Sequence, residues 1–281
     1  MKYGIVVDSG CDMAGLAHQA EAIDFSKVAL KLDIGDREFI DDDHLDIKTF
    51  MDEMYAYKGK TGTAAPSPAD WLTAFEKSEC VFAITLSSAI SGSYASAQVA
   101  MRMFLESYPE RRIYLIDSKS AGPGQTIFAR RLEELMRQNL DFEEIRGKIN
   151  EYQYHTDVFF VLSSMENLIK NGRINRFTAN LAGILGIKIL GGATAEGKLE
   201  LLAKCRGRRA AYDRAIAAML ERNYNGGKVI IAHCFNRELA DYVAAEIRMK
   251  FHDCAIEIMD TGGLCSYYAE RSGIIIGFEK G

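Results

Sequence analysis

Eight short apolar runs, each bounded by turn residues and separated by amphipathic stretches, recur along this chain. The runs fall at 3–8, 80–86, 113–117, 157–162, 186–191, 228–233, 254–259 and 273–278. Helical periodicity lies between them near 69–77, 93–107, 124–138, 141–153, 207–222 and 236–250. A wholly apolar strand needs cover on both faces, and an amphipathic helix has one face with which to provide it. The alternation therefore predicts an α/β fold with mostly parallel sheets. At 281 residues the chain is long for a single core, so two α/β domains are expected. Their predicted extents are residues 1–154 and 155–281, divided after the polar helix 141–153 and before Val158-Phe159-Phe160-Val161-Leu162. One segment departs from the pattern. Residues 27–41 alternate with a period of two around Gly35-Asp36, which predicts a β-hairpin inserted into the first domain.

Ligands of open α/β sheets bind beyond the carboxyl ends of the strands. There the sequence places Asp8-Ser9-Gly10-Cys11-Asp12 after the first run, the hydroxyl-dense turn Thr85–Tyr94 after the second, and Asp117-Ser118-Lys119-Ser120-Ala121-Gly122-Pro123-Gly124 after the third. A further hydroxyl loop, Thr61–Pro68, precedes the helix at 69–77. A loop that opens a helix offers an anion unpaired N–H groups and the positive end of the helix dipole. Serine-rich turns are also ordinary helix caps; the convergence of three of them on one sheet edge is what favours a ligand. They contain no histidine and no GxSxG elbow, so binding fits them better than Ser-His-Asp hydrolysis. Asp8 and Asp12 are the better carboxylate candidates, although Asp8 can equally brace the neighbouring turn.

Other features narrow the function by exclusion. No apolar run approaches the roughly 20 residues of a membrane span, and Met1 leads directly into a buried strand without a signal peptide. A cytoplasmic location is expected. The six cysteines are scattered without a CxxC pair, which suggests neither zinc nor disulfides and reads as small core residues. From Lys170 to Arg214 there are ten Lys/Arg against three acids, in a chain of net charge −5. That window points to an anionic partner, yet no zinc finger, RRM signature, helix-turn-helix or aromatic-basic interleaving accompanies it, so nucleic acid is not expected. Gly192–Leu199 matches GxxxxGK, but Leu199 replaces the P-loop hydroxyl and Leu199–Ala203 reads as a strand, which predicts a hairpin turn. Asp41-Asp42-Asp43-His44 reads as a solvated acidic loop, not a metal site. No metal or cofactor is expected, and His233 is assigned a structural role.

Taken in order, Ile5-Val6-Val7-Asp8-Ser9, Thr63-Ala64-Ala65-Pro66-Ser67-Pro68, Ser87-Ser88-Ala89-Ile90-Ser91-Gly92-Ser93-Tyr94 and Asp117-Ser118 resemble the DegV family. Leu168-Ile169-Lys170-Asn171-Gly172-Arg173-Ile174, Gly186-Ile187-Lys188-Ile189-Leu190 and Lys204-Cys205-Arg206-Gly207 resemble its second-domain signature, so the likeness spans essentially the whole chain. The resemblance implies a protein that holds a long-chain fatty acid in a tunnel between or beside two α/β domains. It further implies a non-enzymatic subunit that presents this ligand to a separate ATP-dependent fatty acid kinase subunit, with at most transient membrane contact. Carried over by motif, Thr63 and Ser91 would hold the carboxylate, with the Gly92 amide region nearby. Arg173, Lys188 and Arg206 match the family's basic positions and are candidates for docking an acidic kinase surface or for neutralising the acyl phosphate. Family members commonly carry a histidine in a Thr-His-Thr-Gly-Pro-Gly-like loop before the last strand. Here Cys265–Gly273 has none; Tyr268 stands in that position, with Arg271 as the available charge. Two other readings stay open: a lipid or amphiphile carrier without a kinase partner, and a stand-alone hydrolase or phosphotransferase using Asp8 and the serine turns.

Overall fold

The computed structural model describes residues 2–17, 23–138, 140–174, 186–207 and 209–281. Its first half runs β1 (Tyr3–Asp8), β2 (Ile23–Val28), β3 (Lys31–Ile34), β4 (Arg37–Ile40), α1 (Ile47–Ala56), β5 (Thr61–Ala64), α2 (Pro68–Phe75), β6 (Cys80–Thr85), α3 (Ser93–Ser107), β7 (Arg112–Asp117), α4 (Pro123–Met136) and α5 (Phe142–Tyr152). The second runs β8 (Thr156–Leu162), α6 (Glu166–Lys170), β9 (Ile187–Ala193), β10 (Leu199–Arg206), α7 (Ala210–Glu221), β11 (Val229–His233), α8 (Arg237–Lys250), β12 (Ile256–Asp260), α9 (Gly263–Ala269) and β13 (Ile274–Glu279). The expected division at 154/155 falls in the helical turn Gln153–His155 between α5 and β8.

The first sheet has the order β2-β1-β6-β7 and is parallel throughout. Because side chains alternate along a strand, Ile5, Val7, Phe82 and Ile84 pack with α4 and α5, whereas Val6, Val81 and Ala83 pack with Trp71, Phe75 and Phe104 of α2 and α3. Sequence fixes where the covering helices start. Ser67 accepts the Asp70 N–H while the Asp70 carboxylate returns to the Ser67 N–H, with Pro68 at the head of α2; Asp141 and Glu144 make the same box for α5.

The second sheet, β10-β9-β8-β13-β11-β12, departs from expectation. Only β11 and β12 pair in parallel; the other four pairings are antiparallel. Parallel neighbours need a crossover, and here α8 supplies one. The β9–β10 connection is instead the tight turn 194–198, closed by the Thr194 N–H on the Lys198 carbonyl at 2.8 Å, so GxxxxGK is a hairpin turn as expected. Along β8, Phe159 and Val161 pack toward α7 and α8, and Val158, Phe160 and Leu162 point to the opposite face.

Helix α4 joins the two sheets. Ile127, Phe128 and Leu132 belong to the first sheet's core, which also takes in Ile230 of β11. The helix comes so close to β13 that a Cβ on Gly277 would lie 2.6 Å from the Pro123 backbone. The hairpin around Gly35-Asp36 is present as β3–β4, but it is shorter than 27–41: Lys27 and Val28 belong to β2, paired in parallel with β1. Strand β2 went unpredicted because Asp24, Ser26 and Lys27 interrupt its apolar pattern. Strand β5 pairs with the other side of β3, so the insertion is a three-stranded sheet and Thr61–Ala64 is strand where a loop was expected.

Two glycines should respond oppositely to alanine. Gly277→Ala, facing backbone, should lose roughly 1–3 kcal/mol of unfolding free energy. Gly147→Ala, in α5 with open space around it, should gain about 0.5–1 kcal/mol. Urea titration of both variants reads the difference.

Candidate functional site

Strand β1 ends on Asp8, which is completely buried. Its Oδ2 accepts the Leu86 N–H at 2.8 Å and the Ser93 hydroxyl at 2.5 Å, and its Oδ1 accepts Gln125 Nε2 at 2.9 Å. Burial pushes this carboxyl up to about 6 in spite of those three hydrogen bonds. Asp8 is therefore the brace of the serine turn. The neighbouring turns close on it: the Ser87 N–H donates to the Ser120 carbonyl at 2.9 Å, the Ser88 N–H to Asp117 Oδ1 at 3.0 Å and the Gly122 N–H to the Gly10 carbonyl at 2.8 Å. The three polar turns converge as their spacing predicts.

Beside them lies an apolar cleft of about 860 Å³, counting the part open to solvent. Val158, Phe160 and Leu162 of β8 form one wall, and Leu30, Leu86 and Ile275 contribute to the others. The tip of the β9–β10 hairpin is fastened to the serine turn by the Ser87 hydroxyl, which donates to the Gly197 carbonyl at 2.8 Å.

Thr63, Ser91, Tyr268 and Arg173 all line this cleft. Thr63 Oγ1 and Tyr268 Oη are 2.9 Å apart, and Ser91 Oγ accepts the Ser93 N–H at 3.2 Å. Burial raises the Tyr268 phenol above its ordinary range, so it stays a neutral hydroxyl near pH 7. The Nε of Arg173 donates to the Ile90 carbonyl at 2.8 Å and its Nη1 to the Asn171 carbonyl at 2.6 Å, which sets the guanidinium into the cleft wall. Gly92 is the N-cap of α3, exposed, and outside the cleft lining. Lys188, which donates to Ser163 Oγ, and the exposed Arg206 lie on β9 and β10 away from the cleft. Arg271 is no substitute charge for the site, since it pairs with Asp52 and stacks over Tyr55 on the surface. His233 is buried at the end of β11, with the Asp260 carboxylate 3.3 Å away.

Tyr268 reaches the cleft because Cys265–Ala269, expected as loop, belongs to α9. Nothing within α9 caps it. The Gly262 N–H donates to Asp12 Oδ1 at 2.8 Å, and the Gly263 and Leu264 N–H groups donate to Asp41 Oδ1 and Oδ2 at 2.8 and 3.0 Å. These partners are 250, 222 and 223 residues away in sequence, which is why local reading missed the helix. Asp41 is accordingly buried and not part of a solvated loop; only Asp42, Asp43 and His44 are exposed. Burial pushes Asp12 up to about 7 and raises Asp41 as well.

A sequence profile of the DegV family, whose members it describes as uncharacterised proteins, matches residues 2–280. The chain belongs to the DegV family. A DegV domain-containing protein of Streptococcus pneumoniae (strain ATCC BAA-255 / R6) is 38% identical over 279 residues, 99% of each chain. The crystal structure of the Streptococcus pneumoniae Fatty Acid Kinase (Fak) B3 protein loaded with linoleic acid matches with a TM-score of 0.98 at 38% identity, covering 100% of both chains. A DegV family protein from Eubacterium eligens loaded with heptadecanoic acid matches at 0.94 and 36% identity, over 99% of this chain and 100% of that one.

The raised Asp12 carboxyl predicts a pH-dependent stability. Between the ordinary value near 3.8 and the folded value of about 7, the native state holds a proton that the unfolded chain has released. Its contribution must therefore fall as pH rises through that window. Asp12→Asn should flatten the decline in urea-unfolding free energy between about pH 4 and pH 7 relative to the wild type; parallel pH profiles would refute the assignment.

Proposed function

We propose that this protein binds a long-chain fatty acid in the cleft and presents its carboxylate to a separate ATP-dependent kinase subunit, which forms the acyl phosphate. The observation that carries the reading is the union of an apolar cleft with the Thr63–Tyr268 hydroxyl pair, Ser91 and Arg173 in its wall. Two relatives of 36% and 38% identity, loaded with heptadecanoic and linoleic acid, support it. The energetics agree. Burying about fourteen methylenes at roughly 0.8 kcal/mol each contributes on the order of 11 kcal/mol before ordering costs. The head group then needs only enough hydrogen bonds to offset its lost water.

In this reading Thr63 and Ser91 hold the carboxylate with Tyr268 as a third hydroxyl, and the remaining guanidinium N–H groups of Arg173 supply positive charge. Neutral donors leave the carboxylate more nucleophilic than a bidentate arginine clamp would, which suits transfer of a phosphoryl group onto it. Asp8, the base that a stand-alone hydrolase would require, has both oxygens engaged in the fold. No helix among the described residues is long and apolar enough to cross a membrane. We assign kinase docking to the surface around the exposed Arg206 on β10, with Lys188, on the opposite face of the β9–β10 ribbon, as a second candidate.

Mass spectrometry of an organic extract of the purified protein should find a long-chain fatty acid near one per chain; a protein that neither carries nor takes up one would end this reading. Thr63→Val and Ser91→Ala should each weaken binding of an 18-carbon acid by about tenfold, equivalent to about 1.4 kcal/mol, with little change for the matching alcohol. Arg206→Ala should lower association with a fatty acid kinase ATP-binding subunit in a pull-down, and unchanged capture would remove Arg206 from the docking face.

A further inference from the structure

Strand β5 and helix α9 meet through two threonine–tyrosine pairs. Thr61 and Thr63 occupy the same face of the strand, and Tyr267 and Tyr268 follow one another on the helix. The outer pair, Thr63 and Tyr268, lines the cleft. The inner pair is enclosed: Thr61 Oγ1 lies 2.7 Å from Tyr267 Oη, with Thr61 8% and Tyr267 0% exposed. Asn171 completes it. Its amide donates to Tyr267 Oη and to the Asn167 carbonyl, both at 2.9 Å, and the Asn167 amide donates to the Tyr267 carbonyl at 2.8 Å. The Asn171 carbonyl in turn accepts Arg173 Nη1 at 2.6 Å.

Each member of the inner trio thus sits one or two residues from a cleft residue: Thr61 beside Thr63, Tyr267 beside Tyr268, Asn171 beside Arg173. We propose that Thr61, Tyr267 and Asn171 are positioning residues, a hydrogen-bond trio, buried at Thr61 and Tyr267 and half-buried at Asn171, that sets the head-group end of the cleft by fixing Thr63, Tyr268 and Arg173 relative to one another. The inference rests on the fatty-acid reading and specifies how that site discriminates a carboxylate.

Two physical arguments support it. Among the described residues strand β5 is an edge strand, paired with β3 alone, so its other side is held by side chains, and the Thr61–Tyr267 bond is enclosed. In a low-dielectric interior a trio joined in this way has few alternative arrangements, because moving Tyr267 Oη breaks its hydrogen bonds to both Thr61 and Asn171. The Tyr267 ring is itself confined, 6.4 Å from Phe50 and edge-on to Tyr268 at 4.9 Å between centroids. The hydroxyl direction is therefore set by packing and passed on to β5 and to the turn after α6.

The test uses the full chain and two probes that share one tail, linoleic acid and linoleyl alcohol, with Kd measured for each. Tyr267→Phe removes one oxygen atom and should cut the preference for acid over alcohol about tenfold while leaving alcohol affinity unchanged. Thr61→Val should do the same, and Thr61→Ser, which keeps the hydroxyl, should restore the preference. Combining Tyr267→Phe with Thr63→Val should cost less than the two separate losses together, because both act on one head-group site. Equal weakening for acid and alcohol would reduce the trio to a structural role, and an unaltered preference in both variants would overturn it. A wild-type protein that binds the tail but shows no preference for acid would strike the head-group assignment itself, and this inference with it.

Discussion

Asp8 sits at the end of the central strand of a parallel sheet, fully enclosed, and its carboxylate is held by an amide N–H, a hydroxyl and a carboxamide. A charge so placed is tolerated only while all of those dipoles point at it. The turn after β6, the start of α3 and the first turn of α4 are consequently fixed with respect to β1. The Ser93 hydroxyl is spent on Asp8 and the N-cap of α3 is Gly92, so the helix begins without a side-chain cap, and Ser91, two residues before Ser93, lines the cleft. The site depends on a residue that does not touch it.

The same device recurs at the other end of the chain. Asp12 and Asp41, both from the first half, receive the opening N–H groups of α9, so the short helix that carries Tyr267 and Tyr268 cannot be placed until the N-terminal turns are in place. Together the enclosed carboxylates stitch the two sheets around the cleft, and α4, buried between the sheets, forms the hinge side of that clamp. The apolar walls need no such specification. Alternation along β8 suffices to send Phe159 and Val161 to one core and Val158, Phe160 and Leu162 to the cleft.

What could be read from the residues follows this distinction between local and remote causes. Strands such as β6 and β11, wholly buried and apolar up to their last residue, were legible, as were helices that carry their own caps, α2 and α5. The tight hairpin after Ile34 was legible from turn chemistry. Strand β2 was not, because three polar residues in six break the pattern that burial on one side still tolerates. Helix α9 was hidden because its caps lie more than two hundred residues away. Motif order pointed to Thr63, Ser91 and Tyr268, which the fold brings to one cleft, but it carries no information about direction, so it left Arg173 between docking a kinase and neutralising the acyl phosphate; its two backbone bonds set it in the cleft wall.

The place of Arg173 in the cleft wall bears on how an anion would be held. Of the three basic residues once grouped by sequence, one lines the cleft and two lie on β9 and β10 away from it, which separates a charge that can meet the ligand from charges that can meet a protein. The phenol of Tyr268 is kept neutral by burial, and the Arg173 guanidinium has already committed Nε and Nη1 to carbonyls. A carboxylate there would meet hydroxyls first and a single guanidinium corner second. Such a site favours the anion without saturating both of its oxygens in a bidentate pair. On the proposed function, this leaves a lone pair of the carboxylate exposed for attack on an incoming phosphoryl group and places the burden of affinity on the methylenes of the tail.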